Sequence, residues 1–189
     1  MKHRNRLLAL ALAFVMSFTL AGCTINLSKD SGSPPLTRAE AATDTITLPE
    51  GMDASSKFTV QKADSSMYIV FNGINKRETG YFSVPSGSMT ILGSGTGEAA
   101  GMKSFKINVW KQVEGGTQYV ADSTIYYYTD GSTYTYTLSG LDPASNYRLT
   151  ISYDAYGYYI YGMMRVDGVG DVGAAPEQQT DESASVAAA

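Results

Sequence analysis

Ser104-Phe105-Lys106-Ile107-Asn108-Val109-Trp110-Lys111-Gln112-Val113 alternates strictly over most of its length. Phe105, Ile107 and Val109 fall on one parity, and Lys106, Asn108 and Trp110 on the other. Successive side chains of an extended chain point to opposite faces, so this segment reads as a half-buried β-strand. The same reading extends in both directions. Gly115-Gly116 makes a compact reversal into Thr117–Tyr128, and Asp130-Gly131 turns the chain into Thr133–Leu138. Upstream, Lys57–Gln61, Met67–Asn72, Tyr81–Val84 and Ser88–Leu92 read as short strands, the last two separated by Pro85-Ser86-Gly87. Downstream, Asn146–Asp154 and Tyr158–Val166 read as a hairpin around Ala155-Tyr156-Gly157. No segment after residue 23 carries a helical stripe. The expectation is one all-β domain over residues 46–172, roughly 120 residues, enough for one core and too few for two.

Between two of these strands lies Ser139-Gly140-Leu141-Asp142-Pro143-Ala144-Ser145-Asn146-Tyr147. Leu141 is placed to plug the end of a sandwich, Pro143 fixes φ in the crossover, and the Tyr147 hydroxyl can reach back to an upstream backbone group. The stretch resembles the corner that precedes strand F in fibronectin type III domains, and the likeness extends over about residues 88–166. It implies an immunoglobulin-like (fibronectin type III-like) antiparallel β-sandwich with extra N-terminal strands. In that register Ser104–Gln112 takes the place of strand C, Thr117–Tyr128 the C′ region, Thr133–Leu138 strand E and Tyr158–Val166 strand G. The Trp usual on strand B is absent, since Ser88–Leu92 offers only Met89, Ile91 and Leu92. A jelly roll is the alternative.

The N-terminus has a different character. Lys2, His3, Arg4 and Arg6 precede an uncharged, largely apolar run from Leu7 to Leu20. Fourteen residues make roughly 21 Å of helix, short of a hydrocarbon core of about 30 Å, which favours a cleavable signal over residues 1–22. Leu20-Ala21-Gly22-Cys23 resembles the lipobox of bacterial lipoproteins. The resemblance implies that Cys23 is alkylated with diacylglycerol and holds the protein to the extracytoplasmic side of a bacterial membrane. Residues 23–45 then read as a flexible tether, and residues 173–189 as a low-complexity acidic tail.

Composition narrows the chemistry. Cys23 is the only cysteine and His3 the only histidine. Three of the 14 Lys and Arg residues precede Cys23 while all 18 acidic residues follow it, leaving 11 − 18 = −7 for the processed chain. That balance argues against a nucleic-acid partner. Without His or a second Cys, Ser-His-Asp and Cys-His mechanisms and zinc sites on N or S ligands fall away. Gly93-Ser94-Gly95-Thr96-Gly97 is read as a loop between strands, since Gly101-Met102-Lys103-Ser104 lacks phosphate-loop spacing. Asp167-Gly168-Val169-Gly170-Asp171 is read as an acidic turn after the last strand and not as a calcium site. Asp122, Asp130, Asp142 and Asp154 are carboxylates that nothing pairs at catalytic separation. The expectation is a protein without catalysis, cofactor or metal.

Tyrosine is the unusual component: all 14 lie between Tyr68 and Tyr161. Tyr134, Tyr136, Tyr147 and Tyr153 share the parity of Leu138, Leu149 and Ile151 and are assigned to the core or its rim. The opposite parity would present Lys106, Asn108 and Trp110 beside Arg148, Thr150 and Ser152, and beside Tyr159, Tyr161 and Met163 if strands C, F and G share a sheet. Aromatic rings among hydrogen-bonding groups suit a glycan or a protein ligand, unless residues 57–84 cover the face. The alternative function is a structural subunit of a cell-envelope assembly, with Tyr158–Val166, apolar on both parities, pairing with a neighbour.

Overall fold

The structure is a computed structural model that describes residues 36–173. The signal segment, Cys23 and residues 174–189 lie outside the described residues. The first six strands are β1 (Glu40–Ala41), β2 (Phe58–Ala63), β3 (Ser66–Ile74), β4 (Lys76–Glu78), β5 (Phe82–Ser83) and β6 (Ser88–Gly97). They are followed by β7 (Ser104–Val113), β8 (Gly116–Tyr119), β9 (Ile125–Tyr128), β10 (Asp130–Ser139), β11 (Asn146–Ser152) and β12 (Ile160–Asp167). One sheet has the order β1-β10-β6-β12-β3-β2. The other is centred on β11 and β7, with β4 and β5 along the free edge of β11, and β8 and β9 along that of β7. The strand pairs are antiparallel throughout.

From β3 onward the chain changes sheet at β3–β4, β5–β6, β6–β7, β9–β10, β10–β11 and β11–β12. This gives β3-β12-β6-β10 facing β4/β5-β11-β7-β8/β9, the order of a jelly roll. The immunoglobulin-like order, with the last strand beside the strands that precede it, is corrected here. Asn146–Asp154 and Tyr158–Val166 are not a hairpin: β11 and β12 lie in opposite sheets. The corner motif misleads because it governs only the β10–β11 crossing, which both architectures share. Its own chemistry is as read. Leu141 and Tyr147 are buried, and the Tyr147 hydroxyl accepts from Asp142 N at 2.7 Å and donates to Asp142 O at 3.2 Å.

The position of β12 also removes the docking strand expected for an assembly subunit. β12 is bonded to β6 on one side and β3 on the other, so it offers no free edge. Its two-sided apolarity has an internal cause. Ile160, Met164 and Val166 enter the core, while the opposite face is crossed by residues 42–57. That strap leaves β10 at Ala42, whose N–H donates to Thr133 O. It passes β12 at the Asp44–Arg165 ion pair (3.6 Å) and reaches β3 where Asn72 Nδ2 donates to Ala54 O and Ser56 O. Leu92 and Val70 point out of this sheet, yet they are 3% and 1% exposed. The strap and its approach also shorten the expected tether. Residues 37–41 pair first with β9 and then with β10, and Ala39 is buried. At the other end Val172 bridges Phe82, and Gly173 N donates to Tyr81 O at 2.7 Å.

Between the sheets, the Gly93-Ser94-Gly95-Thr96-Gly97 segment expected as a loop is the second half of β6. Gly93, Gly95 and Gly97 continue the inward parity of Met89 and Ile91. A Cβ there would stand 3.0 Å from Tyr127, 3.1 Å from Phe105 and 2.6 Å from the Tyr153 hydroxyl. The glycines let three rings from the facing sheet lie directly on backbone. Phe105 and Tyr127 stack at 5.4 Å, and Phe71 meets Phe105 at 5.7 Å.

Both edges of the second sheet are broken, and the expected continuous strand Thr117–Tyr128 is two. β8 pairs with residues 110–113 of β7 and β9 with residues 104–107. Over the gap the chain bulges at Asp122, which takes φ of 57°, and the buried Ser123 hydroxyl accepts from Val109 N at 3.2 Å. Across the sheet, β5 pairs at residues 146–147 of β11 and β4 at 150–152. The buried Thr79 hydroxyl fills that gap by accepting from Leu149 N at 3.0 Å. Each hydroxyl replaces a missing strand partner, as a buried amide requires.

Candidate functional site

The strap crosses the outside of the first sheet, and the outside of the second carries most of the residues selected from sequence. There, strand register sets side chains in rows. Arg148, Trp110 and Tyr119 are cross-strand neighbours on β11, β7 and β8. Glu78, Thr150 and Asn108 form the next row, and Lys76, Ser152, Lys106 and Tyr126 the third. Neighbours within a row are about 5 Å apart and rows about 7 Å apart, so the platform is small and nearly flat.

The polar contacts on this face join its own side chains and those of its flanking loops. Arg148 donates Nη1 to Glu78 Oε2 at 2.8 Å and lies over the Tyr81 ring, its guanidinium carbon 5.6 Å from the ring centre. Lys106 Nζ meets Asp154 Oδ2 at 2.6 Å. Asn108 Nδ2 donates to Thr124 Oγ1 at 3.2 Å, and that hydroxyl also meets the Tyr119 hydroxyl at 2.9 Å. Trp110 packs edge-on against Tyr119, ring centres 5.6 Å apart at 68°. Asn108 Oδ1, Trp110 Nε1 and Arg148 Nε are the buried side-chain polar atoms left without a partner among the described residues. All three belong to adjacent side chains of this one face. Buried polar atoms are almost always satisfied, and these three are closed to solvent as well as unpartnered, so they mark under-satisfied packing beneath the face and are not themselves open to a ligand.

No family model and no curated protein matches the chain. Among solved structures it is similar to a chain from a study of the promiscuous specificity of carbohydrate-binding modules of the β-sandwich superfamily. The two are 11% identical with a TM-score of 0.34, and the match spans 69% of this chain and 62% of that one. The likeness at this level places no ligand on the present protein.

Of the residues selected from sequence, Lys106, Asn108, Trp110 and Arg148 come together. Tyr159 and Tyr161 do not, because they stand just before and on β12 of the opposite sheet. There the Tyr161 hydroxyl donates to Glu98 Oε1 at 2.5 Å, and Tyr159 N to Glu98 Oε2 at 3.0 Å. That hydrogen bond to Glu98 raises the Tyr161 phenol above its ordinary range. Residues 57–84 do not cover the face. β2 and β3 belong to the other sheet, whereas β4 extends this one and adds Lys76 and Glu78 to its rim. Tyr119 was within reach of sequence reasoning. The reversal actually turns at Glu114-Gly115, pairing Val113 with Gly116 and so Trp110 with Tyr119.

The face's carboxylates, Glu78 and Asp154, are held by Arg148 and Lys106. Asp167, in the acidic turn, already accepts from Ser66 Oγ and Arg165 Nε. No group of three His, Cys, Asp or Glu side chains that could hold a metal occurs among the described residues.

Proposed function

We propose that this chain is a non-catalytic glycan-binding module held at the extracytoplasmic side of a bacterial membrane by a lipid on Cys23. The carrying observation is the row of Arg148, Trp110 and Tyr119 on the outside of the second sheet, Tyr119 exposed and the other two half-buried, with Lys76, Lys106 and Ser152 two rows away. A sugar ring offers an apolar C–H face to Trp110 and hydroxyls to the guanidinium and amide around it. A protein ligand fits less well. The centre of a protein interface is depleted in charged groups, whereas these rows carry Lys76, Lys106, Arg148 and Glu78 and no aliphatic side chain. The assembly-subunit reading loses its support with the free edge of β12.

Trp110 is the only tryptophan, so its fluorescence reports on the site without labelling. Titrating the purified protein with soluble xylan, laminarin, starch, pectin and peptidoglycan fragments should give a saturable change with at least one of them. Trp110→Ala should abolish retention on that polymer while leaving the melting temperature within a few degrees. A protein whose Trp110 answers to none of these, and which a broad glycan array leaves unbound, is not a glycan-binding module.

A further inference from the structure

Beyond the Lys76–Ser152–Lys106 row, in the direction away from Trp110, stands the loop Ala155-Tyr156-Gly157-Tyr158-Tyr159. Tyr156 is fully exposed, and Tyr158 and Tyr159 are 50% and 44% exposed. A cluster of exposed rings at a loop tip costs solvation unless it is used, and this loop is held in place. Asn75 Nδ2 donates to Tyr153 O, Ala155 O and Tyr158 O at 3.1, 3.3 and 3.3 Å. Tyr158 N closes a turn onto Ala155 O, and Glu98 holds both ends of the Tyr159 peptide unit through its own N–H and carboxylate. The loop is joined to the sheet face at Asp154, which pairs with Lys106. From Arg148 to Ser152 is about 13 Å along β11, and Asp154 lies about 20 Å from Arg148 at strand rise. Trp110 and Tyr119 thus stand at one end of the face, and the loop that carries Tyr156 and Tyr158 follows directly on its other end, where the chain crosses to β12. The Lys76, Ser152 and Lys106 donors stand between them.

From this juxtaposition we infer that the site takes an extended glycan chain lying along β7 and β11, with the Tyr156–Tyr158 loop as a distal subsite. The inference rests on the glycan-binding reading and specifies its ligand as a polymer segment of about 20 Å or more, as opposed to a terminal sugar. Rings on an already ordered loop contribute contact at little entropic cost. Lys76, which has no ion pair among the described residues, adds a free donor midway.

The test compares fragments of whichever polymer in the fluorescence panel responds, from disaccharide to octasaccharide and longer, on the wild type, Trp110→Ala and the Tyr156→Ala/Tyr158→Ala double variant. Affinity should rise with chain length until both ends are spanned. The double variant should lose about tenfold for the long chain, as expected for two aromatic contacts, and nothing for the disaccharide. Trp110→Ala should lose both. Since Tyr156 and Tyr158 touch little of the core, circular dichroism of the double variant should match wild type. Equal affinity for short and long fragments, or a double variant indistinguishable from wild type on the long chain, overturns the extended-chain site and leaves glycan binding standing. Absence of binding by every fragment and parent polymer overturns both.

Discussion

Gly97 and Asp142 each carry a consequence that a single substitution exposes. A Cβ at Gly97 would stand 2.6 Å from the Tyr153 hydroxyl and 2.9 Å from Cζ of the same ring. That ring is buried, and its hydroxyl donates to Met102 O at 3.3 Å. Gly97→Ala therefore forces Tyr153 away from its partners and should destabilise by about 1–3 kcal/mol, the usual cost of overpacking, read as a lowered urea midpoint at unchanged slope. Asp142 predicts a pH effect. The Lys111 ammonium, then the Ser145 hydroxyl and Ala144 N–H, hold its carboxyl at about 2, below the roughly 3.9 of an unfolded Asp. A depressed carboxyl stabilises the fold above the unfolded value, and this contribution fades as pH falls from about 4 towards 2. Asp142→Asn should lower the melting temperature at pH 6 and approach the wild type near pH 2. Little of this was legible beforehand. Tyr147 was, because its partner lies only five residues away; Gly97 was not, because its requirement comes from a ring 56 residues downstream.

Strands were easier to read than their interruptions. Alternation locates β7 cleanly, since Phe105, Ile107 and Val109 are its buried parity, and β10 more weakly, since Tyr134, Tyr136 and Leu138 are only partly buried against the core. The breaks that split β8 from β9 and β4 from β5 carry no comparable pattern. Val120-Ala121-Asp122-Ser123-Thr124 contains neither Gly nor Pro, and only Asp122 adopts a left-handed conformation there. What ends the ladder is a buried hydroxyl that substitutes for a strand, and a Ser in sequence does not announce that role. Ser123→Ala removes the acceptor of Val109 N and the one hydroxyl proton, which lies 2.7 Å from Val120 O and 3.2 Å from Val109 O by donor–acceptor distance. Unpaired buried amides cost about 1–3 kcal/mol each, so Ser123→Ala and Thr79→Val should each destabilise in that range. Hydrogen exchange should accelerate locally at Val109 and Leu149 respectively. Unchanged protection at those two amides would mean that water fills the gaps and that the hydroxyls are dispensable.

At the scale of the molecule, sheet membership was the hidden quantity. Local pattern tells that Tyr158–Val166 is a strand apolar on both sides, but whether the second apolar side meets a neighbour or its own chain depends on residues 42–57, over a hundred positions away. The strap answers it: Asp44 pairs with Arg165, and Asn72 holds Ala54 and Ser56 across that side. The chain's path through the fold also bears on display. Thr37–Ala39 pairs parallel to β9, entering from the Ile125 end, whereas the Tyr156 loop lies at the Tyr128 end with Ser152 and Lys106. The described chain thus enters at the corner end, opposite the tyrosine loop. Anchoring and binding should accordingly be separable. Cys23→Ser should abolish palmitate incorporation, move the protein from the membrane to the soluble fraction, and strip cells of retained polymer. The purified variant should bind the same polymer with wild-type affinity, because the strands that build the Trp110 face, β4, β7, β8, β9 and β11, do not include Cys23. A Cys23→Ser protein that stays in the membrane fraction would refute lipid attachment at this residue, while loss of affinity in the purified variant would place part of the binding surface on the N-terminal segment.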